Sequence, residues 1–346
     1  MTHHPTGGFP AGSSSTLVLR RGEVARLLRM AECVDAVERA FLAHALGRAI
    51  PPAMLGVHVD GGGFHVKAAG LFAGADGRPV FASKINANFP GNPERSGLPT
   101  IQGVIALFDA ADGRLLALLD SIEITILRTA AATAVAAKYL ARETAVVVIC
   151  GCGEQARSQL RALACVRTLE RVMAFDLNAE RAVRFAADMT SELGVDVAVI
   201  DSLDGDARTA TIWITCTPAR HWFLGRAHVA PGAFVAAVGA DNPDKQEIEP
   251  ELLAASVVVA DILEQSATIG DLHHALNSGV MQREAVRAEL GEIVAGKKPG
   301  RLAADEIIVF DSTGTALQDV ALAALVYERA LATGVGRAIA LGSLDA

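Results

Sequence analysis

The sequence predicts an α/β protein: a doubly wound parallel sheet, preceded by a second domain of mixed α+β character. Three observations carry that reading. Between residues 144 and 310, short apolar runs alternate with helical stretches; a Gly-rich turn follows the first of those runs; and residues 51–120 are β-like runs broken by Gly, Pro and Asn. At 346 residues the chain is long enough for two domains.

Each element has its own signal. Residues 21–46 carry Val24, Leu27 and Leu28, then Val34, Val37, Phe41 and Leu42, at helical spacing, which predicts a short helix followed by a longer one. Residues 54–59, 63–67, 80–85, 101–108 and 115–119 read as strands of an antiparallel sheet, the last two joined by the hairpin signal Asp109-Ala110-Ala111-Asp112-Gly113. Residues 127–140 are Ala-rich without Gly or Pro, and predict a tightly packed helix linking the domains. Strands at 145–150, 171–175 and 195–200 then alternate with helices at 154–165 and 179–192. Buried strands follow at 211–215, 234–238, 257–260 and 307–310, and residues 316–334 form a helix that must pack outside that sheet.

Composition narrows the function. A net charge of −8 and 5% aromatic residues exclude the basic face and stacking platforms of a nucleic-acid binder. No apolar run approaches the roughly 18 residues needed to cross a bilayer, so no membrane partner is expected. Residues 1–16 lack a charged n-region and an apolar h-region, and read as a disordered tail. Five cysteines, with Cys150, Cys152 and Cys216 in or beside core strands, point to reduced thiols and the cytoplasm. Cys150 and Cys152 lack the spacing and the second Cys/His pair of a zinc site, so no metal is expected.

The strongest motif is Gly151-Cys152-Gly153-Glu154-Gln155-Ala156, a G-x-G-x-x-A between an apolar strand and a helix. Gly151 makes the tight turn, Gly153 lets the backbone approach a pyrophosphate, and Ala156 permits close helix–strand packing, the signature of a Rossmann-type dinucleotide site. Asp176 ends the next strand, where a carboxylate accepts hydrogen bonds from an adenosine ribose and repels a 2′-phosphate; with no Arg in Leu177-Asn178-Ala179, NAD is expected over NADP. Asp241 follows the strand that ends in Val238 and Gly239, at the carboxyl end where such sheets bind ligands, although by itself an Asp there is more often a turn or N-cap residue than a catalyst. Phe310-Asp311-Ser312-Thr313-Gly314 has the same position and the same ambiguity. Lys67 and Lys84 each end an apolar run and read as solvated. Arg128 begins an Ala-rich helix, where a cation opposes the dipole, so an anionic partner is expected. His273 and His274 read as polar helix residues, Trp213 and Trp222 as packing or contact groups, and residues 284–289 as a solvated helix face.

These motifs stand in one collinear order that resembles the ornithine cyclodeaminase/mu-crystallin family. The resemblance rests on Gly97-Leu98-Pro99-Thr100 with Gln102-Gly103, Leu127-Arg128-Thr129-Ala130-Ala131, the Gly151–Ala156 loop, Val238-Gly239-Ala240-Asp241 with Lys245 and Glu247, and Phe310-Asp311-Ser312 with Ala316-Leu317-Gln318-Asp319. It implies a discontinuous substrate-binding and dimerisation domain, residues 17–127 with 316–346, around an NAD-binding Rossmann domain, 128–315, in a homodimer. It further implies hydride transfer between nicotinamide and the α-carbon of a small imino or amino acid, as a ketimine or imino-acid reductase or an L-amino-acid dehydrogenase. The alternatives it carries are a redox-neutral cyclodeaminase acting on ornithine and a non-catalytic ligand-binding protein.

By resemblance Lys84 holds the substrate carboxylate and Asp241 is the acid/base. Thr100, Arg128, Glu154, Gln155, Asp176, Thr217, Lys245 and Ser312 match cofactor positions, together with Gly151, Gly153, Val238 and Gly239, and Thr313 matches a substrate contact. One departure stands out. Family members that bind amino acids carry an arginine in a Pro-x-Arg segment, where this chain has Pro51-Pro52-Ala53-Met54. Lys67, in Phe64-His65-Val66-Lys67-Ala68, is expected to supply the missing cation.

Overall fold

The computed structural model describes residues 15–74 and 76–341. The chain divides into two compact units: residues through Arg128 with those from Thr315 onward, and Thr129–Gly314. Of the expected tail, residues 1–14 lie outside the described residues, while Thr16 opens a strand.

The first unit begins with β1 (Thr16–Leu19), α1 (Arg21–Leu27) and α2 (Met30–Ala45). The α1 start is fixed by Glu23, whose carboxylate accepts the Arg20 backbone N–H at 2.8 Å. Helix α2 buries Cys33, Val34, Val37, Ala40 and Phe41, the stripe its spacing predicts. The antiparallel strands follow as β2 (Ala49–Val59), β3 (Gly62–Leu71), β4 (Val80–Asn88), β5 (Ile101–Asp109) and β6 (Leu115–Asp120), with a short α3 (Asn92–Ser96) before β5. Gly103 on β5 has no room for a side chain, since a Cβ there would meet Asn86 Oδ1 at 2.1 Å.

Helix α4 (Ile122–Leu140) contains the division between the units. Its alanines from Ala130 to Ala137 are fully buried, the close packing that small side chains allow. Its last carbonyls are satisfied by arginines rather than by a glycine cap: Arg167 Nη2 donates to Ala137 at 2.7 Å and Lys138 at 2.8 Å, and Arg301 Nε to Leu140 at 3.0 Å.

The second unit continues with β7 (Thr144–Cys150), α5 (Glu154–Ala164), β8 (Thr168–Phe175), α6 (Ala179–Leu193) and β9 (Val197–Val199). Then come β10 (Ile212–Thr215), β11 (Phe234–Ala237), α7 (Pro250–Ala254), β12 (Val257–Ala260), α8 (Leu263–Ile269) and α9 (Asp271–Asn277). It ends with β13 (Ala288–Glu289), α10 (Leu290–Val294) and β14 (Ile308–Asp311). The strands form one parallel sheet in the order β13-β12-β14-β11-β10-β7-β8-β9. After β9 the chain crosses to the other side of β7, so strand order reverses between β7 and β10, the switch point at which such sheets open a ligand crevice. Residues 284–289 are not the helix face expected: they form a 3-10 turn and the strand β13, and Glu289 caps α10. The turn residues satisfy local backbone donors instead of continuing a helical ladder.

Helix α11 (Ala316–Thr333) and β15 (Arg337–Ile339) return the chain to the first unit. There the sheet order is β15-β1-β6-β5-β4-β3-β2. Strands β1 and β15, four and three residues long, went unread because segments so short carry no alternation. Helix α11 lies against α2 and the inner face of β3 and β4, and Arg329 Nη1 ties it to the Leu27 carbonyl at 2.7 Å.

Candidate active site

In the first unit, pairing aligns Lys67 on β3 directly with Lys84 on β4. Both point to the inner face beneath α11 and are 7% and 4% exposed, so neither is the solvated strand-end lysine expected from its position in the sequence. Like charges opposite one another destabilise a sheet unless an anion stands between them. Asp319 of α11, 1% exposed, supplies one: its two carboxylate oxygens lie 2.9 and 2.8 Å from Lys84 Nζ. Arg128, also buried, joins them, with Nε 3.2 Å from Asp319 and Nη1 donating to Gln318 Oε1 at 2.8 Å. Thr125 Oγ1 stands 3.4 Å from Lys84 Nζ. Lys84 and Arg128 thus share the Asp319 carboxylate in a buried site, with Lys67 near enough to add to the field on it.

The electrostatics follow from that count. Burial pushes the Lys84 ammonium down to about 7, Asp319 opposes the shift, and Arg128 and Lys67 add to it. Burial alone would raise Asp319, but Lys84 and Arg128 outweigh it and hold the carboxyl below its ordinary value. Arg128, matched by resemblance to a cofactor position, stands in this cluster and pairs with Asp319; it does not begin its helix as expected, since α4 starts at Ile122, so the anion answers its burial and not the helix dipole. Thr100 sits half-buried just before β5, where its carbonyl accepts the Phe89 N–H at 2.8 Å.

In the second unit, the Gly151–Ala156 loop joins β7 to α5. Gly151 has φ +91°, and a Cβ would come within 2.9 Å of the Cys216 carbonyl; only glycine fits there. Gly153 caps α5 over open space, with Glu154 exposed and Gln155 half-buried at the helix start. Asp176 Oδ2 accepts the Cys152 N–H at 2.8 Å and Oδ1 the Asn178 N–H at 2.8 Å, which aims the carboxylate over the loop. Arg181, two residues past Leu177-Asn178-Ala179, lies 3.6 Å from Asp176. The thiols here are inert, since burial pushes Cys150 and Cys216 well up and Cys152 to about 12.

Along the carboxyl edge of the sheet, buried carboxylates tie loop to loop. Glu247 accepts four bonds: Thr217 N and Oγ1 at 2.6 and 2.7 Å, Thr215 Oγ1 at 2.7 Å and Gly239 N at 2.8 Å. Asp271 Oδ1 accepts the N–H groups of Glu247 and Ile248 at 2.8 and 2.9 Å. Asp311 in turn accepts those of Asp271 and Leu272 at 3.2 and 3.0 Å. Asp261 accepts Thr313 Oγ1 at 2.9 Å and Gly314 N at 2.7 Å. Asp241 projects from the turn after β11, half-exposed, with Lys245 Nζ 2.7 Å away, while Val238 is buried. Ser312 Oγ is buried without a partner among the described residues.

The structure therefore gathers Lys67, Lys84 and Arg128 in one unit. In the other it gathers Gly151, Gly153, Asp176, Thr217, Gly239, Asp241, Lys245, Ser312 and Thr313 along one sheet edge. Sequence reasoning gave no role to Asp319, Gln318, Glu247, Asp271 or His274. The one available signal was a run of carboxylates inside otherwise apolar segments, Asp261, Asp271, Asp311 and Asp319, since such groups stay buried only when paired.

The chain is similar to several known proteins over nearly its whole length. An archaeal alanine dehydrogenase dimer with bound NAD superposes with a TM-score of 0.88 at 38% identity, covering 94% of this chain and 99% of that one. The Thermococcus litoralis Δ1-pyrroline-2-carboxylate reductase in complex with NADH and L-proline gives a TM-score of 0.86 at 35% identity, covering 94% and 100%. The iminosuccinate reductase of Paracoccus denitrificans in complex with NAD+ gives 0.85 at 32%, covering 94% and 99%. A family model matches residues 14–334, and on these grounds the chain belongs to the ornithine cyclodeaminase/mu-crystallin family.

Proposed function

We propose that this protein catalyses NAD-dependent hydride transfer at the α-carbon of a small imino acid/amino acid pair, as an imino-acid reductase or amino-acid dehydrogenase. The observation that carries the proposal is the buried excess of cations in the first unit. Lys84 and Arg128 share one Asp319 among the described residues, with Lys67 in direct register beside Lys84, and an α-carboxylate matches that cluster. Lys67 takes the place of the arginine absent from Pro51–Met54. Reductases and a dehydrogenase of this substrate class are among the relatives.

The residues of the second unit fit a dinucleotide. The positive-φ Gly151 turn, the open Gly153 start of the eleven-residue α5 and the aimed Asp176 suit a diphosphate and a ribose, and Ser312 offers an unused buried hydroxyl. When bound, NAD supplies the acceptor or donor of the hydride. Asp176 favours NAD over NADP. Thr217 and Gly239, held by Glu247, fix the backbone at the sheet edge beside the cofactor. Asp241 protonates or deprotonates the substrate nitrogen, and Lys245 keeps it oriented. Thr313, whose hydroxyl also accepts from Gln265 Nε2 at 2.8 Å, presents a fixed edge to substrate.

A homodimer follows from the outer face of the first unit's sheet. Leu55, Val66, Ile85 and Val104 form one cross-strand row and Val57 and Phe64 the next, and all but Val66 are exposed. Monomers seldom leave such a face uncovered, and the archaeal alanine dehydrogenase is described as a dimer. The reduced core thiols suit the cytoplasm.

The test is NADH consumption against cyclic and linear imino acids, with Asp241→Asn in parallel. Turnover that the variant loses supports the assignment; NADH binding without turnover on any imino acid overturns it.

A further inference from the structure

We propose that Asp319 is a positioning residue for substrate capture: it keeps Lys84 charged and aimed, so that the site takes up a carboxylate at neutral pH. The proposal deepens the imino-acid reading and rests on it for the identity of the natural anion.

The argument begins with geometry. Lys84 Nζ lies within 2.9 Å of both Asp319 oxygens and donates a longer bond to Thr125 Oγ1 at 3.4 Å, while the other charges near it, Arg128 and Lys67, repel it. Strand β3 contributes Lys67 in direct register, with His65 two residues before it on the same face. Helix α4 contributes Arg128 and the neutral Thr125, helix α11 Asp319 and the neutral Gln318, and β5 only Ile105 in the paired position. A lysine buried beside two further cations gives up its proton near neutrality, and Asp319 is the one group facing it that resists this.

Asp319 also selects a rotamer. Its ion pairs with Lys84 and Arg128 brace both cations from the α11 side, so that an incoming carboxylate has only the long Thr125 contact of the ammonium to displace. Gln318, one residue earlier, fixes the other end of the guanidinium. The helix therefore presents a carboxylate and a carboxamide in sequence, and each constrains a cation without cancelling the site's net positive charge.

The sign of the pH effect follows. The ammonium binds a carboxylate and the free amine does not, so capture weakens as pH rises through the Lys84 value. Removing the Asp319 charge lowers that value and brings the loss to lower pH.

The experiment measures binding rather than turnover, so it stands apart from the reading of the reaction. The probe is pyrrole-2-carboxylate, a planar cyclic analogue whose carboxylate stays ionised from pH 6 to 9, titrated calorimetrically into the NADH-loaded protein. Wild type is expected to bind it and to weaken above neutrality. In Asp319→Asn the weakening is expected to begin at least one pH unit lower, with affinity down about tenfold at pH 7.5 and a smaller deficit at pH 6. Asp319→Glu is expected to recover part of the loss. Lys84→Arg, which cannot deprotonate in this range, is expected to bind without the alkaline decline and keeps the test informative if Asp319→Asn does not fold. A deficit in Asp319→Asn that is equal at every pH, an alkaline decline unchanged in Lys84→Arg, or no binding by wild type at any pH overturns the proposal. Absence of turnover with pH-dependent binding intact overturns only the reaction.

Discussion

His274 Nε2 lies 2.9 Å from the carbonyl oxygen of Lys245. A carbonyl only accepts, so this ring nitrogen carries a proton, and α9 thereby holds the residue that pairs with Asp241. Replacing His274 by Ala removes a bond worth about 1 kcal/mol. The expected outcome is a roughly fivefold fall in kcat with NADH affinity unchanged, read from steady-state kinetics and fluorescence titration. An unaltered kcat separates the histidine from the Asp241 loop.

Glu247 uses both oxygens to hold two strand ends. Glu247→Gln turns one of those oxygens into an amide nitrogen that faces donors, and the buried mismatch costs about 2–4 kcal/mol. Urea unfolding is expected to show an earlier midpoint for the second unit, and Gly239→Ala, whose Cβ would lie 2.4 Å from the Thr217 carbonyl, to behave alike.

Asp271, Asp311 and Glu247 are buried together, and burial raises all three carboxyls, Asp311 from an ordinary 3.8 to about 8. A carboxyl raised on folding binds its proton more tightly in the native state. The stability it contributes is therefore full at acid pH and declines as pH climbs from about 4 through about 8. Melting temperatures are expected to fall between pH 6 and pH 9, and Asp311→Asn, which stays neutral, to flatten that slope. A variant slope as steep as wild type places the titration elsewhere.

Asp176 stands over the glycine loop with Arg181 beside it. Asp176→Ser is expected to weaken NADH about tenfold and to tighten NADPH, because the repelling carboxylate is gone while Arg181 remains to meet a 2′-phosphate. Titration of both reduced cofactors decides it; unchanged selectivity removes Asp176 as the determinant.

Ile85 lies mid-row on the exposed apolar face. Ile85→Glu is expected to yield a folded monomer by light scattering, and a dimer that survives the charge would have to use another surface.

What was legible in the sequence was whatever depends on neighbours in the chain. The strands of the second unit other than β13, and the glycine loop, announced themselves because an apolar run, a turn and a helix start are local patterns, and Asp176 followed from its place at the next strand end. Lys67 and Lys84 did not. Each ends an apolar run, and nothing nearby in sequence shows that α11 covers them. Their burial is set by Asp319, 235 residues beyond Lys84. Glu247 was noticed only as part of a motif, since its four donors come from Thr215, Thr217 and Gly239 on two other strand ends. The missing arginine at Pro51–Met54 was visible, and so was Lys67, but their shared face became plain only from the register of β3 with β4.

The return of α11 to the first unit bears on the order in which the molecule is made. On a ribosome the sheet strands β1 to β6 emerge before the second unit, and the helix that covers their inner face emerges only after it. Thr129–Gly314 is contiguous and can close as soon as it is complete, while the earlier strands wait with Lys84 and Arg128 lacking their counter-ion. Of the two units the one begun earlier is thus completed later, and Lys84 and Arg128 gain their counter-ion only when Asp319 arrives. A nascent chain stalled before α11 is expected to bind NADH and to resist protease across the second unit, while the strands from β2 to β5 are still cleaved.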